Sequence, residues 1–390
     1  MVDNIARAAI EAVNRGRLAY CKFLSANDTG DTGGHQEGIY IAKNAIGILF
    51  NEPGIKGTNK DQLVKIKWQN DFFTESRFIY YGTGTRNEYR ITRFGRGFPF
   101  LRTEHTGDLF VLVKKASDEY SAYVLDTEDE INEFLDNYGM TPADTGKLIE
   151  KLDYDEDSRV EALIREFIDP LEIDFPAAEL MSIKAREIYE KVFNHREYII
   201  QRPDDILISW IDMEYHIFRK LEFYRYGEMI LKGFSTVEDF IETANSVLNR
   251  RKSRAGKSLE NHLAAIFNEN KLKYAAQPVT EGNRKPDFLF PTKKDYHDMN
   301  YPAEKLVFLG AKTTCKDRWR QIINEANRIE RKHLFTLQQG ISAQQMTEME
   351  EEKITLVVPE QYINTYPKEK RPLIWTLRKF IEYVRETTIP

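Results

Sequence analysis

The chain is short of cysteine, of long apolar runs and of positive charge, and each shortage closes off a class of protein. Cys21 and Cys315 are its only 2 cysteines, too few for a disulfide framework, and they show no zinc-ligand spacing to the 7 histidines. No stretch approaches the roughly 20 apolar residues that a membrane helix requires. The opening Met1-Val2-Asp3-Asn4 lacks the basic and then apolar order of a signal peptide. There is no internal repeat or low-complexity tract, no strand-turn-helix glycine fingerprint for S-adenosylmethionine and no catalytic Pro-Cys, so a methyltransferase is disfavoured. With 56 basic and 62 acidic residues the formal charge is −6, which does not by itself suggest a nucleic-acid partner. These features fit a cytoplasmic globular protein.

What is present divides into two parts. A length of 390 residues with 41% hydrophobic content is enough for two real cores. The first part reads as β-rich. Val64-Lys65-Ile66-Lys67-Trp68 alternates strictly, and 78–81, 109–113 and 120–125 are β-prone, with glycines such as Gly82 and Gly84 marking turns. Segments 127–138 and 146–152 read as helices that close this domain. The acidic run Asp153-Tyr154-Asp155-Glu156-Asp157, with Pro170 and Pro176 beyond, marks a hinge, so the domains are set at 1–172 and 173–390.

The second part reads as an α/β sandwich. Ile206, Trp210, Met213, Ile217, Leu221 and Tyr224 form the stripe of a packed helix. Leu259, Leu263, Ile266 and Phe267 mark the next helix, with Glu260 in its first turn. Segments 288–290, 306–312 and 354–358 read as buried strands, and 372–387 as a closing helix.

One stretch of this second part carries chemistry. Pro286-Asp287 precedes the first of these strands, and the second ends in Lys312. Ile322, Ala326 and Ile329 then repeat at helical spacing across 319–333, which would place Glu325 on their inward face. Two carboxylates can hold Mg²⁺ through hard oxygen ligands, and a nearby ammonium can orient the attacking water or balance charge growing on a phosphate. This is the logic of the PD-(D/E)xK nucleases. Their usual acid two residues before the lysine is replaced here by Gly310, and Glu325, 13 residues after Lys312 (325 minus 312), can supply the missing oxygens.

Longer matches extend the likeness. Lys312-Thr313-Thr314-Cys315-Lys316-Asp317-Arg318-Trp319-Arg320-Gln321-Ile322, followed by Glu325-Ala326 and Lys332-His333-Leu334, closely resembles the catalytic region of EcoRII-like type IIE restriction endonucleases. Ser25-Ala26-Asn27-Asp28-Thr29-Gly30, Gly33-Gly34-His35-Gln36, Thr85-Arg86-Asn87-Glu88 and Arg90-Ile91-Thr92-Arg93 resemble their N-terminal half in the same order. The resemblance implies an α+β two-domain protein of bacterial or archaeal cytoplasm. Its N-terminal domain would be a β-rich DNA-binding pseudobarrel for an effector DNA copy, and its C-terminal domain a restriction-endonuclease-like fold.

It also implies roles for residues. Asp287 and Glu325 would bind Mg²⁺ and Lys312 would assist the water; Tyr296 matches a tyrosine near the relatives' active site. Glu260 is read either as a support of the metal site or as a favourable acid at a helix N-terminus. Lys316, Asp317 and Arg318 would read guanine and cytosine edges of a CCWGG-like site, with cutting 5′ of the first C and the central nucleotides extruded. In the N-terminal domain Arg86, Glu88 and Arg90 match recognition positions and His35 and Tyr40 match DNA-contacting ones. Where the relatives have lysines this chain has Gly84 and Tyr89, so its effector binding is expected to be weaker or altered; Tyr89 is retained as a contact candidate. From 86 to 96 there are four arginines and one acid, which can equally be a surface hairpin with cross-strand pairs.

A homodimer is expected, since two-fold DNA sites are best read by two-fold proteins, and a separate cognate methyltransferase would protect the host. The competing readings are a DNA-binding regulator with an inactive nuclease domain and a structure-selective repair nuclease. The joint presence of Asp287, Lys312 and Glu325 disfavours the first, and a fixed cleavage site would exclude the second.

Overall fold

The computed structural model describes residues 4–30, 38–115, 119–149, 158–316 and 318–388. Its N-terminal part is built on one eight-stranded sheet. The strands are β1 (Leu18–Phe23), β2 (Ile39–Ile41), β3 (Lys60–Trp68), β4 (Phe72–Tyr81), β5 (Glu88–Thr92), β6 (Leu109–Lys114), β7 (Glu119–Leu125) and β8 (Lys147–Leu148). They run in the order β2-β5-β4-β3-β7-β6-β1-β8. The β3–β7 pair is parallel and the others are antiparallel. All four expected strands lie within β3, β4, β6 and β7.

Each face of this sheet has its own core. Strand alternation turns Val64, Ile66 and Trp68 inward, where the Trp68 ring packs against Phe94, Phe98, Phe100 and Phe110 beside the short helix α2 (Ile46–Leu49). The opposite face is covered by helices α1 (Ile5–Arg15) and α3 (Glu128–Tyr138) through Ala9, Val13, Ile131 and Phe134. The helix expected over 146–152 is not formed over its described residues 146–149. Gly146 sits at φ +81°, its N–H donates to Cys21 O and Lys147 pairs with Cys21, so the edge of β1 captures this segment as a strand. The acidic run lies outside the described residues.

The C-terminal part begins with helices α4 (Ser158–Ile168), α5 (Ala178–Phe193), α6 (Tyr198–Gln201), α7 (Pro203–Lys232) and α8 (Val237–Glu269). Helix α4 packs through Val160, Ile164 and Ile168 onto α5 and α7. We therefore propose that the division between domains falls within 150–157 rather than at 172/173. The long α8 places Glu260 far beyond its first turn, which corrects the capping role offered for it. A five-stranded sheet follows, β9 (Ala275–Ala276), β10 (Phe288–Phe290), β11 (Val307–Lys312), β12 (Lys332–Thr336) and β13 (Ile354–Val357), in the order β13-β12-β11-β10-β9.

The pairs among β9, β10 and β11 are antiparallel, and those joining β11, β12 and β13 are parallel. Helices α7, α8 and α11 (Leu377–Thr388) cover one face. The other face takes α9 (Lys293–His297), α10 (Ala343–Glu351) and the irregular segment around Trp319. The result is the expected α/β sandwich. The last helix starts at Leu377 instead of 372, because Arg371–Leu373 forms a 3₁₀ turn.

Phe267 fastens α8 to this sheet, its ring meeting Phe288 at 5.2 Å and Phe290 at 5.3 Å in edge-to-face contacts. Phe267→Ala is expected to destabilise the C-terminal domain by about 3–5 kcal/mol, read as an earlier urea transition.

Candidate active site

Asp287 sits immediately before β10, where its backbone carbonyl accepts from Gln277 N–H at 3.0 Å. Its carboxylate crosses to the neighbouring strand, Oδ2 accepting from Ala311 N–H at 2.8 Å and lying 3.6 Å from Lys312 Nζ. The antiparallel register of β10 and β11 thus brings the acid to the end of the strand that carries the lysine.

Gly310 is enclosed. A Cβ added there would lie 3.0 Å from Ile322 Cγ2, so the side of β11 that bears the usual acid in related nucleases is filled by the segment carrying Glu325.

That segment is not the helix its spacing predicts. A 3₁₀ turn at Arg318–Ile322 is followed by turns up to β12, and Ala326 adopts φ +51°. Ile322, Ala326 and Ile329 are all buried as expected, but a chain of single turns places them so, because a continuous helix cannot pass a left-handed residue. Glu325 is half-buried. Burial and the facing Asp287 carboxylate push its pKa up to about 7, against the pull of Lys312, Arg284 and Lys332. Asp287, Lys312 and Glu325 therefore share one site.

A divalent cation fits this donor set. Glu325, whose ionisation burial and the Asp287 carboxylate oppose, would be relieved by a hard dication held between the two acids. The remaining ligands would be water, backbone and phosphate oxygens.

Glu260 lines the same cleft as Lys312, bonded to Gln277 Nε2 at 2.8 Å and Lys257 Nζ at 3.0 Å. Gln277 connects it to the backbone of Asp287. Tyr296 is buried beside the site, and its hydroxyl donates to Glu281. Glu281 and Arg284 have no sequence signal, because their contacts to the site are made only by folding, whereas Lys332 stands in a segment that carries the resemblance.

Lys316 and Arg318 face the N-terminal domain. The Lys316 ammonium is buried against the Asp108 carboxylate and Asp126 O. Arg318 pairs with Asp129 at 2.6 Å, and its backbone N–H donates to Glu128 Oε2 at 2.8 Å. Thr314 Oγ1 lies 2.9 Å from Asn132 Oδ1. Glu128, Asp129 and Asp136, whose pKa burial raises to about 6, wall a cleft of about 680 Å³ that contains Lys312. Asp317 lies outside the described residues.

In the N-terminal domain Arg86 is exposed, with its guanidinium over the Tyr81 ring. Tyr40 pairs with Arg90 across β2 and β5, and Glu88 holds Arg90 at 3.3 Å. Arg90 is buried and also donates to Gly38 O, so in this arrangement it braces Glu88 and the Gly38 backbone, and base contact by Arg90 would require it to leave them. Tyr89 is buried between Phe50 and Tyr80 and its hydroxyl accepts from Gly54 N–H. Strand alternation turns Tyr89 inward, which corrects the expectation that it contacts DNA. His35 lies outside the described residues.

Comparison with known proteins gives two family models in sequence. One described as "Restriction endonuclease EcoRII, N-terminal" matches residues 13–143, and one described as "EcoRII C terminal" matches residues 218–381. The Type II restriction enzyme EcoRII of Escherichia coli is 38% identical over 397 aligned positions, covering 95% of each chain. Among solved structures, Ecl18kI in complex with uncleaved, modified DNA aligns at 17% identity and TM-score 0.46, over 59% of this chain and 84% of its own. A PspGI–substrate DNA complex aligns at 14% identity and TM-score 0.45, over 55% of this chain and 93% of its own. With both halves matched in order and the identity spread over nearly the whole length, the chain belongs to the EcoRII family of type II restriction endonucleases.

Proposed function

We propose that this site-specific deoxyribonuclease makes Mg²⁺-dependent double-strand cuts at an unmodified CCWGG-like sequence, 5′ of the first C. The observation that carries this reading is the convergence of Asp287, Lys312 and Glu325, with Lys312 Nζ 3.6 Å from Asp287 Oδ2. Asp287 and Glu325 would hold the ion, which when bound supplies Lewis-acid stabilisation of the phosphate and a water of lowered pKa. Lys312 orients the attacking water and balances charge on the phosphoryl oxygens. Lys316, Asp317 and Arg318 read base edges.

A homodimer follows from one such site per chain and two strands to cut. The apolar stripe that α7 and α8 expose through Phe223, Ile230, Leu231, Phe240 and Ile241 supports a second copy as the partner. The separate methyltransferase follows from the restriction reading alone.

Sequencing the ends left on plasmid DNA by the purified protein with Mg²⁺ is expected to give one motif and one cut position; scattered ends would overturn the assignment. Lys312→Ala should lower the cutting rate by roughly 10²–10³-fold or more while sparing DNA binding.

The titration of Glu325 gives a second test. Its folded pKa of about 7 lies above its ordinary 4.5, so between these values the folded carboxyl keeps a proton that an incoming ion must displace. Metal affinity should rise about tenfold per pH unit up to about 7 and level off above it. Calorimetry at pH 6 in two buffers should count about one proton released per site, and Glu325→Gln should abolish both effects.

The N-terminal domain would bind a second DNA copy through Arg86, Glu88, Arg90, Tyr40 and His35, and would restrain the nuclease until it is occupied. Support comes from Glu128 and Asp129, which pair with Arg318 where DNA would otherwise be read. Glu128→Gln with Asp129→Asn should therefore raise cleavage of single-site DNA several-fold; unchanged or lower activity in the folded variant argues against restraint.

A further inference from the structure

Glu325 hangs from a run of single turns, so something outside that run must fix its carboxylate. Short local bonds support it from within, Ile323 N–H to Arg320 O at 3.3 Å, and Glu325 N–H to Ile322 O and Ile329 N–H to Ala326 O, both at 3.0 Å. A turn of this kind is far softer than a helix.

The support comes from the loop that ends in Asp287. On one side of Glu325, the Arg284 guanidinium donates to Asn324 O. On the other, Glu281 Oε2 accepts from Asn327 N–H at 3.3 Å, while Oε1 accepts from the Tyr296 hydroxyl. Tyr296 Oη in turn lies 3.5 Å from Arg328 N, and Arg328 donates to the carbonyls of Asp298 at 3.0 Å and Tyr301 at 2.8 Å. The loop is itself closed: Thr280 N–H donates to Arg284 O at 2.9 Å and Arg284 N–H to Glu281 O at 3.2 Å. The chain segment leading into one metal carboxylate therefore grips the backbone before and after the other.

We infer that Glu281 is a positioning residue of the nuclease site, which with Arg284 and the Tyr296 hydroxyl sets the distance between the Asp287 and Glu325 carboxylates. Tyr296 acts through Glu281 and touches neither the ion nor the phosphate. This rests on the assignment of Asp287 and Glu325 as metal ligands, and makes a separate claim about what spaces them.

The test is Mn²⁺ titration of the full-length protein followed by electron paramagnetic resonance, with the metal dependence of cutting measured alongside. Glu281→Gln puts an amide where a carboxylate accepts two hydrogen bonds, so one acceptor is lost. The expected result is Mn²⁺ affinity at least about tenfold weaker, from the loss of a supporting partner around a metal ligand, with cutting at saturating metal within about threefold of wild type. Tyr296→Phe should shift affinity the same way by a smaller factor, and unchanged melting curves would show that both variants are folded. The inference is overturned if Glu281→Gln binds Mn²⁺ like wild type, or if Tyr296→Phe stays as slow at saturating metal as at low metal, which would make the phenol a catalytic residue. Glu325→Gln separates the two claims: if it binds Mn²⁺ normally, the ligand assignment itself fails, whereas its loss of binding beside a normal Glu281→Gln removes only the positioning role.

Discussion

Two carboxylates held in one half-buried place are the constraint from which the rest of the catalytic domain follows. Like charges held together away from bulk water repel more strongly as solvent screening falls. The protein meets this strain with protonation of Glu325 near neutrality and with Lys312, Arg284 and Lys332 nearby. It meets it structurally with the bond from Ala311 N–H to Asp287 and the grip of the Glu281–Arg284 loop on the Glu325 turn. A site that resists its own ionisation has much to gain from a dication.

The exchange of Gly310 for Glu325 is one event in packing as well as in chemistry. A side chain at 310 would press on Ile322, and Ile322 belongs to the segment that delivers Glu325. An acid at 310 would require the Ile322 side chain to give by a few tenths of an ångström. The position of the ligand and the filling of the core are a single choice.

Much of this was legible in the sequence, though unevenly. Buried strands such as 306–312 and the long α7 stripe announce themselves because they satisfy one periodicity over many residues. The segment 319–333 misled for the same reason: Ile322, Ala326 and Ile329 keep helical spacing and are buried, yet the left-handed Ala326 interrupts any helix. Segment 146–152 failed differently, since its strand is imposed by the edge of β1 and not by its own residues. Glu260 was placed in a first turn because the buried stripe of α8 is continuous only around Leu259 to Phe267, while the apolar residues at its start, Val237, Phe240 and Ile241, are exposed. Arg284 and Glu281 were invisible because their significance lies in contacts 40 and 46 residues along the chain.

The interface between the domains is asymmetric in a way that bears on its release. Asp108 is wholly buried and holds His105 Nδ1 at 2.6 Å as well as Lys316, so it keeps a partner within its own domain if Lys316 departs. Glu128 and Asp129 stand in the first turn of α3, where the helix dipole favours negative charge whether or not Arg318 is present. The cations have less to fall back on. In the open state proposed above Lys316 would pass into water or onto a phosphate, so it would not be left as an uncompensated buried charge. Under the restraint proposed above, release would be helped where the phosphates of DNA can receive that lysine. In that proposal part of the chain's acidic balance, which by itself does not suggest a nucleic-acid partner, would stand in for DNA at the closed interface.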